Sequence, residues 1–378
     1  MRFAFTDEQE QFRTSVRRFL RDRSPMTEVR RLMTTPKGYD PTVWQQLGQE
    51  LGLAGLQVPV QFGGQGFGFG ELGIALEEMG RALLCAPFFA SAVFATEALL
   101  NGATESEQHA LLPQIASGER IATLAWAEHD GRWETSSITL SATETRDGFV
   151  LNGTKNFVID GHIADCIIVA GRIINSFGDD GVALFVVDAP CSGLERRLLE
   201  TIDTTRKQAE LTFNQVPARR LGHAGSGAAA LRRTADHAAV ALSCEMVGGA
   251  RVLLENAVEY AGLRMQFGRP VGSFQAIKHK CADLLLDVEL ANAAACCAAA
   301  AIAEADPEVP ALAALAKACA SEAYLRAATE AIQIHGGIGF TWDQDTHLWF
   351  KRAQSSAVML GDASYHREKY LQYVEAAV

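Results

Sequence analysis

The periodicity of apolar residues changes twice along this chain, and that order restricts the folds open to it. Up to about residue 119 the spacing is helical. Phe12, Val16, Phe19 and Leu20 share one face, and Leu72 to Leu84 and Ser91 to Leu100 resume the pattern. Thr6 stands where a helix cap belongs, and Asp7, Glu8 and Glu10 suit the positive end of the helix dipole. From about 120 to 227 short β-rich runs take over: Ser137 to Thr143, Gly148 to Asn152, Cys166 to Ala170, Gly181 to Val187 and Ala209 to Phe213. Gly, Asn and Asp separate them, which predicts a small antiparallel β-domain. Asn152-Gly153 reads as a hairpin turn between Phe149-Val150-Leu151 and the run from Lys155 to Ile159. From about 228 to 378 the chain is helical again and rich in alanine, a composition that lets helices approach closely. The expectation is a β-domain set between two helical layers.

A chain of 378 residues exceeds what one hydrophobic core normally serves, so two or three sub-domains are expected. Apolar residues make up 48% and charged residues 21%, enough burial to fold without a disulfide framework. The net charge of −11 repels nucleic-acid backbones and anionic bilayers, though one local basic group can still hold a phosphate ligand. The eight cysteines are Cys85, Cys166, Cys191, Cys244, Cys281, Cys296, Cys297 and Cys319. None forms a CxxC pair and most lie in apolar runs, so they read as buried free thiols of a reducing compartment, with no clustered Cys and His for zinc. Met1-Arg2-Phe3 leads straight into an amphipathic pattern without an apolar signal core. The most apolar stretch, Leu290 to Ala303, falls short of the roughly 20 residues a bilayer requires. A cytoplasmic location follows from this reading.

The run Pro59-Val60-Gln61-Phe62-Gly63-Gly64-Gln65-Gly66-Phe67-Gly68 is rich in glycine, but it lacks GxGxxG spacing after a strand and no GK[ST] follows. It reads as a mobile surface or substrate-access loop rather than a phosphate cradle.

Three stretches carry a resemblance to the acyl-CoA dehydrogenases. Tyr260-Ala261-Gly262-Leu263-Arg264-Met265-Gln266-Phe267-Gly268, followed by Phe274-Gln275-Ala276, is similar to that family's RxxFG…FQ signature. Gln333-Ile334-His335-Gly336-Gly337-Ile338-Gly339 is similar to its QxxGGxG loop, and Asn152-Gly153-Thr154-Lys155-Asn156-Phe157 to its NGxK strand. A weaker match is Gly52-Leu53-Ala54-Gly55-Leu56. The matches span the chain in the family's order. They imply an α+β, mainly α fold: an N-terminal helical domain over 1–119, a middle β-barrel-like domain over 120–227 and a C-terminal helical bundle over 228–378. They also imply FAD as cofactor, an acyl-CoA substrate, electron-transfer flavoprotein as electron acceptor, and a homo- or heterotetramer.

The chemistry agrees with these residues. A dinucleotide's diphosphate needs backbone N–H groups and a guanidinium. Gly336, Gly337 and Gly339 let the backbone come close, Arg264 offers a planar fork, and Gln275 and Gln333 offer amides. Phe267, His335, Phe157 and Ile159 complete the cofactor contacts the resemblance implies. Taken without the other matches, GGxG would read as a helix C-cap.

Removal of an α-proton needs a desolvated carboxylate. In many family members a Glu directly before a Gly near the C-terminus does this, and that place falls on Leu360 before Gly361. Other members carry the Glu upstream of RxxFG, which falls on Ala238, with Ala239 where an Arg often follows. Both places are empty. Glu245, about 10 Å further along the helix in the apolar run Leu242 to Gly248, is the first alternative base, and Asp362 the second. Asp236 falls on the wrong helix face. The β-domain departs from the family's pattern as well. Ala127-Glu128 replaces a Thr-Glu, and Phe157-Val158-Ile159 replaces Trp-Ile-Thr or Trp-Ile-Ser, so two hydroxyls that would meet the flavin ring are gone.

Three readings stay open at this stage. The chain is an FAD-dependent acyl-CoA dehydrogenase, either as a catalytic subunit or as one half of a heteromer whose loops complete a partner's flavin site, as in bacterial heterotetramers acting on steroid or sterol side-chain CoA thioesters, which Gly361-Asp362-Ala363-Ser364-Tyr365-His366 also resembles. Alternatively it is a scaffold without chemistry, or a flavin-dependent monooxygenase on the same fold.

Overall fold

Thr6 accepts the backbone N–H of Gln9, and the Gln9 side chain accepts the N–H of Thr6, so a reciprocal cap starts α1 (Asp7–Arg23). The computed structural model describes residues 5–376; Met1-Arg2-Phe3, Ala4 and residues 377–378 lie outside the described residues. The remaining helices are α2 (Met26–Met33), α3 (Pro41–Gln45), α4 (Phe69–Arg81), α5 (Thr96–Gly102), α6 (Glu105–Ala116), α7 (Gly227–Leu263), α8 (Gln275–Ala303), α9 (Val309–His335), α10 (Thr346–Val358) and α11 (Ala363–Ala376). N-terminal helices, a middle sheet and C-terminal helices follow one another as the fold class requires. By contacts the chain forms two compact units: Met1–Arg30 with Phe69–Leu84 and Ala239–Val378, and Arg31–Gly68 with Cys85–Ala238.

In the helical unit, α4 and α7 touch backbone to backbone. A Cβ on Gly248 would sit 1.9 Å from the Glu77 carbonyl oxygen, and one on Gly80 would sit 2.0 Å from that of Glu245. Glycine is the residue that permits this approach. Around the contact, the buried carboxylates of Glu77 and Glu78 take guanidiniums from Arg13, Arg17 and Arg251. Buried charges persist only when paired in this way.

The second unit holds β1 (Ala122–Ala125), β2 (Ser141–Thr145), β3 (Gly148–Ile159), β4 (Cys166–Ile173), β5 (Val182–Asp188), β6 (Leu194–Leu198) and β7 (Gln208–Leu221). The order is β1-β4-β2-β3-β7-β5, and β4 pairs back onto β5, closing a ring of five strands. The sheet is mixed rather than antiparallel, because β4 runs parallel to both β1 and β2. The hairpin expected at Asn152-Gly153 is also corrected. β3 continues through those residues, and the turn lies at its start, where Thr145 pairs with Gly148. Asn152-Gly153 forms a bulge against β7 instead, with the Asn152 side-chain oxygen accepting both N–H groups offered by Gln215.

Three further expectations change. The Pro59 to Gly68 loop is bound, not loose: Gln65, Gly66 and Phe67 donate their N–H groups to Gly55, Val58 and Leu56. Among the cysteines, Cys85, Cys166 and Cys244 are buried while the other five are half-buried. Finally, Leu290 to Ala303 is only the end of α8, which has 29 residues. α7 and α8 are both long and apolar enough to cross a membrane by length and composition; 83% of the apolar window of α7 is buried inside the protein, but only 33% of that of α8.

Candidate functional site

Two helix ends in the helical unit bring the diphosphate candidates together. α7 ends at Leu263, and Arg264 donates its N–H to the Tyr260 carbonyl. A two-residue hairpin follows, pairing Met265–Gln266 with Arg269–Pro270 through Phe267 and Gly268 at φ +54 and +75. Positive φ at both turn residues suits the twist of a tight hairpin. It leaves Phe267 90% exposed, with Arg264 and Gln275 also exposed. α9 ends at His335, whose ring stacks on Tyr260 with centroids 4.2 Å apart, while the Tyr260 hydroxyl donates to the His335 carbonyl. This stack joins the end of α7 to the end of α9. The His335 Nδ1 lies 2.7 Å from the Ala331 carbonyl, so the ring is fixed from both sides and supports the loop.

The three glycines separate by cause. Gly336 adopts φ +69, ψ −150, a backbone region that belongs to glycine. A Cβ on Gly339 would meet that of His335 at 2.8 Å, so internal packing requires it. A Cβ on Gly337 would meet nothing within 4 Å. Gly337 and Gln333 are exposed, and nothing inside the chain demands a bare backbone at Gly337.

In the sheet unit, the Lys155 ammonium is fully buried and donates to the Glu128 carboxylate and to the Trp126 carbonyl, each at 2.8 Å. Glu128 also accepts the N–H groups of Thr139 and Leu140 at 2.9 Å. Burial lowers Lys155 to about 8, with Glu128 acting against that drop. Burial pushes the Glu128 carboxyl upward, but Lys155 and the bonds from Thr139 and Leu140 outweigh it and bring it below its usual value. Phe157 stands at φ +56 and is exposed, while Ala127 and Ile159 are each 2% exposed.

No usual base position carries a carboxylate. Ala238 is fully buried, and Leu360 is buried in a left-handed turn at φ +63. Glu245 is buried, but its setting is not the apolar one its neighbours predict: the Arg352 guanidinium lies 2.9 Å from its carboxylate. Arg352 comes from α10, more than a hundred residues away, so no local pattern announces it. Asp362 is exposed and accepts the Tyr365 N–H, capping α11. Sequence reasoning missed Tyr260 as the support of the loop and Lys317 beneath the Leu360 turn. The only signal for Lys317 is one charge inside an alanine-rich helix.

Family models match the chain in three consecutive stretches: the acyl-CoA dehydrogenase N-terminal domain over residues 6–119, the middle domain over 123–216 and the C-terminal domain over 225–372. The chain belongs to the acyl-CoA dehydrogenase family. Its members are FAD-dependent oxidoreductases acting on CH–CH bonds. Acyl-CoA dehydrogenase IpdE2 of Mycobacterium tuberculosis is 33% identical over 358 residues, covering 94% of this chain and 93% of that protein. Among solved structures, a variant of the Tcur3481-Tcur3483 steroid ACAD is 30% identical with a TM-score of 0.89, covering 98% of each chain. The ChsE4-ChsE5 complex of Mycobacterium tuberculosis is 27% identical with a TM-score of 0.89, covering 99% of each chain.

Set against the acyl-CoA dehydrogenase cofactor, the two units differ. In the helical unit the residues fit. Arg264 presents a guanidinium to solvent, and the bare backbone at Gly336 and Gly337 leaves room for a diphosphate that no internal group fills. In the sheet unit two side-chain contacts to a flavin ring are missing. Ala127 and Ile159 offer no hydroxyl, and protein atoms already cover both.

Proposed function

We propose that this chain is one subunit of an FAD-dependent acyl-CoA dehydrogenase built from two kinds of subunit, in which it completes the flavin site of its partner. The observation that carries the reading is Gly337: a bare, exposed backbone with no atom within 4 Å of a Cβ there, two residues after the His335 that stacks on Tyr260 at the end of the helix leading to the exposed Arg264. FAD, when bound, accepts the β-hydride of the acyl thioester. Arg264 would hold the diphosphate through its guanidinium, the N–H groups near Gly336 and Gly337 would add to it, and Gln275 and Gln333 would offer amides. Phe267, exposed at the hairpin tip, would cover the dinucleotide from this side and keep water from it.

The carboxylate that removes the α-proton is assigned to the partner, because Glu245 is engaged by Arg352 and Asp362 by the cap of α11. The apolar face of α8, with Leu285, Leu286 and Leu290 exposed, is assigned to subunit contacts in a tetramer. The likeness to a steroid ACAD supports a bulky, steroid-derived acyl group. Electrons leave to electron-transfer flavoprotein, and eight cysteines without a CxxC pair suit the reducing cytoplasm.

The test is co-expression with a second acyl-CoA dehydrogenase subunit encoded nearby, followed by flavin counting. The expected complex holds one FAD per pair of unlike chains, and acyl-CoA reduces it anaerobically without NADH. The chain alone holds none. One FAD per chain in the isolated protein, with full turnover, would defeat the proposal.

A further inference from the structure

Beside the Tyr260–His335 stack the helical unit carries an open cleft of about 650 Å³ that the proposed reaction does not use. Small-molecule sites fall in this size range. Its floor is one face of α7, where Val252, Asn256, Tyr260 and Leu263 recur at helical spacing and make a stripe about 16 Å long. Leu20 and Met26 close it from α1 and α2, and Trp349 closes it from α10. The charges at its edge are already matched. Arg17 grips the Glu78 carboxylate through two bonds of 2.7 Å, Arg81 takes Glu255 through two, and Arg30 lies 2.6 Å from Asp345. Arg21 meets its neighbour Asp22 at 3.2 Å, and Glu259 is exposed to water at the rim. No guanidinium is left over to draw an anionic guest out of water.

Three polar side chains that line this cleft are more than nine-tenths buried and yet unspent. Ser24 is 7% exposed, Thr346 5% and His335 8%. Among the described residues the hydroxyls of Ser24 and Thr346 make no hydrogen bond. His335 Nδ1 faces the Ala331 carbonyl, which only accepts, so Nδ1 carries the proton and Nε2 of the neutral ring keeps its lone pair. Among the described residues no group donates to that lone pair. Buried polar groups in folded proteins are ordinarily bonded, so three unspent ones around one cleft point to a guest that bonds them. The Nε2 lone pair requires a donor, while the two hydroxyls can give or accept. A hydroxyl on the guest meets both demands with one atom.

We propose that this cleft is a binding site for an uncharged lipid alcohol, an elongated apolar molecule whose hydroxyl donates to His335 Nε2 and accepts from Thr346 or Ser24. Its apolar body lies along the α7 stripe, against Leu20, Met26 and Trp349. The inference uses no flavin contact and stands whichever subunit holds the cofactor.

Calorimetric titration of the purified full-length protein with decane-1,10-diol is the experiment, with decanoate as the charged molecule of equal length. One saturable diol site per chain is expected, and decanoate should bind roughly tenfold more weakly. Thr346→Val keeps the shape and removes the hydroxyl, so it should weaken the diol about fivefold. Asn256→Trp fills the middle of the floor and should abolish binding. Should Asn256→Trp fail to fold, Ser24→Ala takes its place, with a loss of about fivefold expected. Absence of saturable binding up to the solubility of the diol, equal affinity for decanoate, or undiminished binding in either folded variant overturns the proposal.

Discussion

The carboxylate of Glu245 and the guanidinium of Arg352 meet at 2.9 Å with both side chains almost wholly buried, joining α7 to α10. A joint of this kind is costly to break, because removing one partner leaves the other charge stranded. Arg352→Met should lower stability by about 3–5 kcal/mol in urea unfolding. Glu245→Gln should also destabilise, yet acyl-CoA should reduce the flavin of the assembled enzyme at the wild-type rate. A hundredfold loss of that rate in a folded Glu245→Gln protein would make Glu245 the base after all.

Gly336 and Gly337 should respond differently to alanine. At Gly336 the backbone conformation excludes a side chain, so Gly336→Ala should cost about 1–3 kcal/mol of stability. At Gly337 a methyl group meets nothing, so Gly337→Ala should leave the melting temperature within about a degree while lowering FAD retention by the complex. Thermal melts and flavin absorbance after gel filtration separate the two. Equal flavin retention in Gly337→Ala and wild type would remove the argument for a diphosphate there.

Lys155 should leave a mark on the alkaline side of the stability curve. Its folded value of about 8 lies below the ordinary 10.5, so between those values the unfolded chain binds more protons. Stability from this group therefore rises as pH climbs through that window, and the burial penalty is complete below it. Lys155→Met should lose this rise, and should be less stable at pH 7 by about 3 kcal/mol because Glu128 is left without its cation. Urea titrations at pH 7, 8 and 10 measure both effects.

His366 should act on the acid side. Burial, aided by Lys317, lowers it from 6.5 to about 3, so the unfolded chain binds more protons between those values. Its contribution is complete above 6.5 and is lost as pH falls toward 3. At pH 4 the loss is about 3 kcal/mol. His366→Gln should therefore melt less steeply with acid than the wild type between pH 6.5 and 4. Parallel acid profiles would show that His366 is not buried in the neutral form.

Much of the architecture was legible because it rests on local signals. The cap at Thr6, the helical spacing from Leu72, and the alanine-rich C-terminal third each report their own segment. Asn152-Gly153 misled because the same dipeptide serves a turn or a bulge, and only the partner strand β7 decides between them. Strands β1 and β6 escaped notice; each is four or five residues long and weakly patterned. The candidate site divides in the same way. Arg264 and the glycine loop sit in contiguous motifs. The Glu245–Arg352 pair, the Tyr260–His335 stack and the bonds of Lys317 to Ala357 and Gly361 join residues 40 to 107 apart in sequence, where spacing carries no information.

The bare leucines of α8 and the projecting Phe267 set a demand on biosynthesis. A copy of this polypeptide released from the ribosome with no partner at hand offers solvent an oily stripe, and such stripes find one another at micromolar concentration. Recombinant yield should therefore follow the order and timing of expression more than the strength of the promoter, with chaperones holding whatever is made in excess.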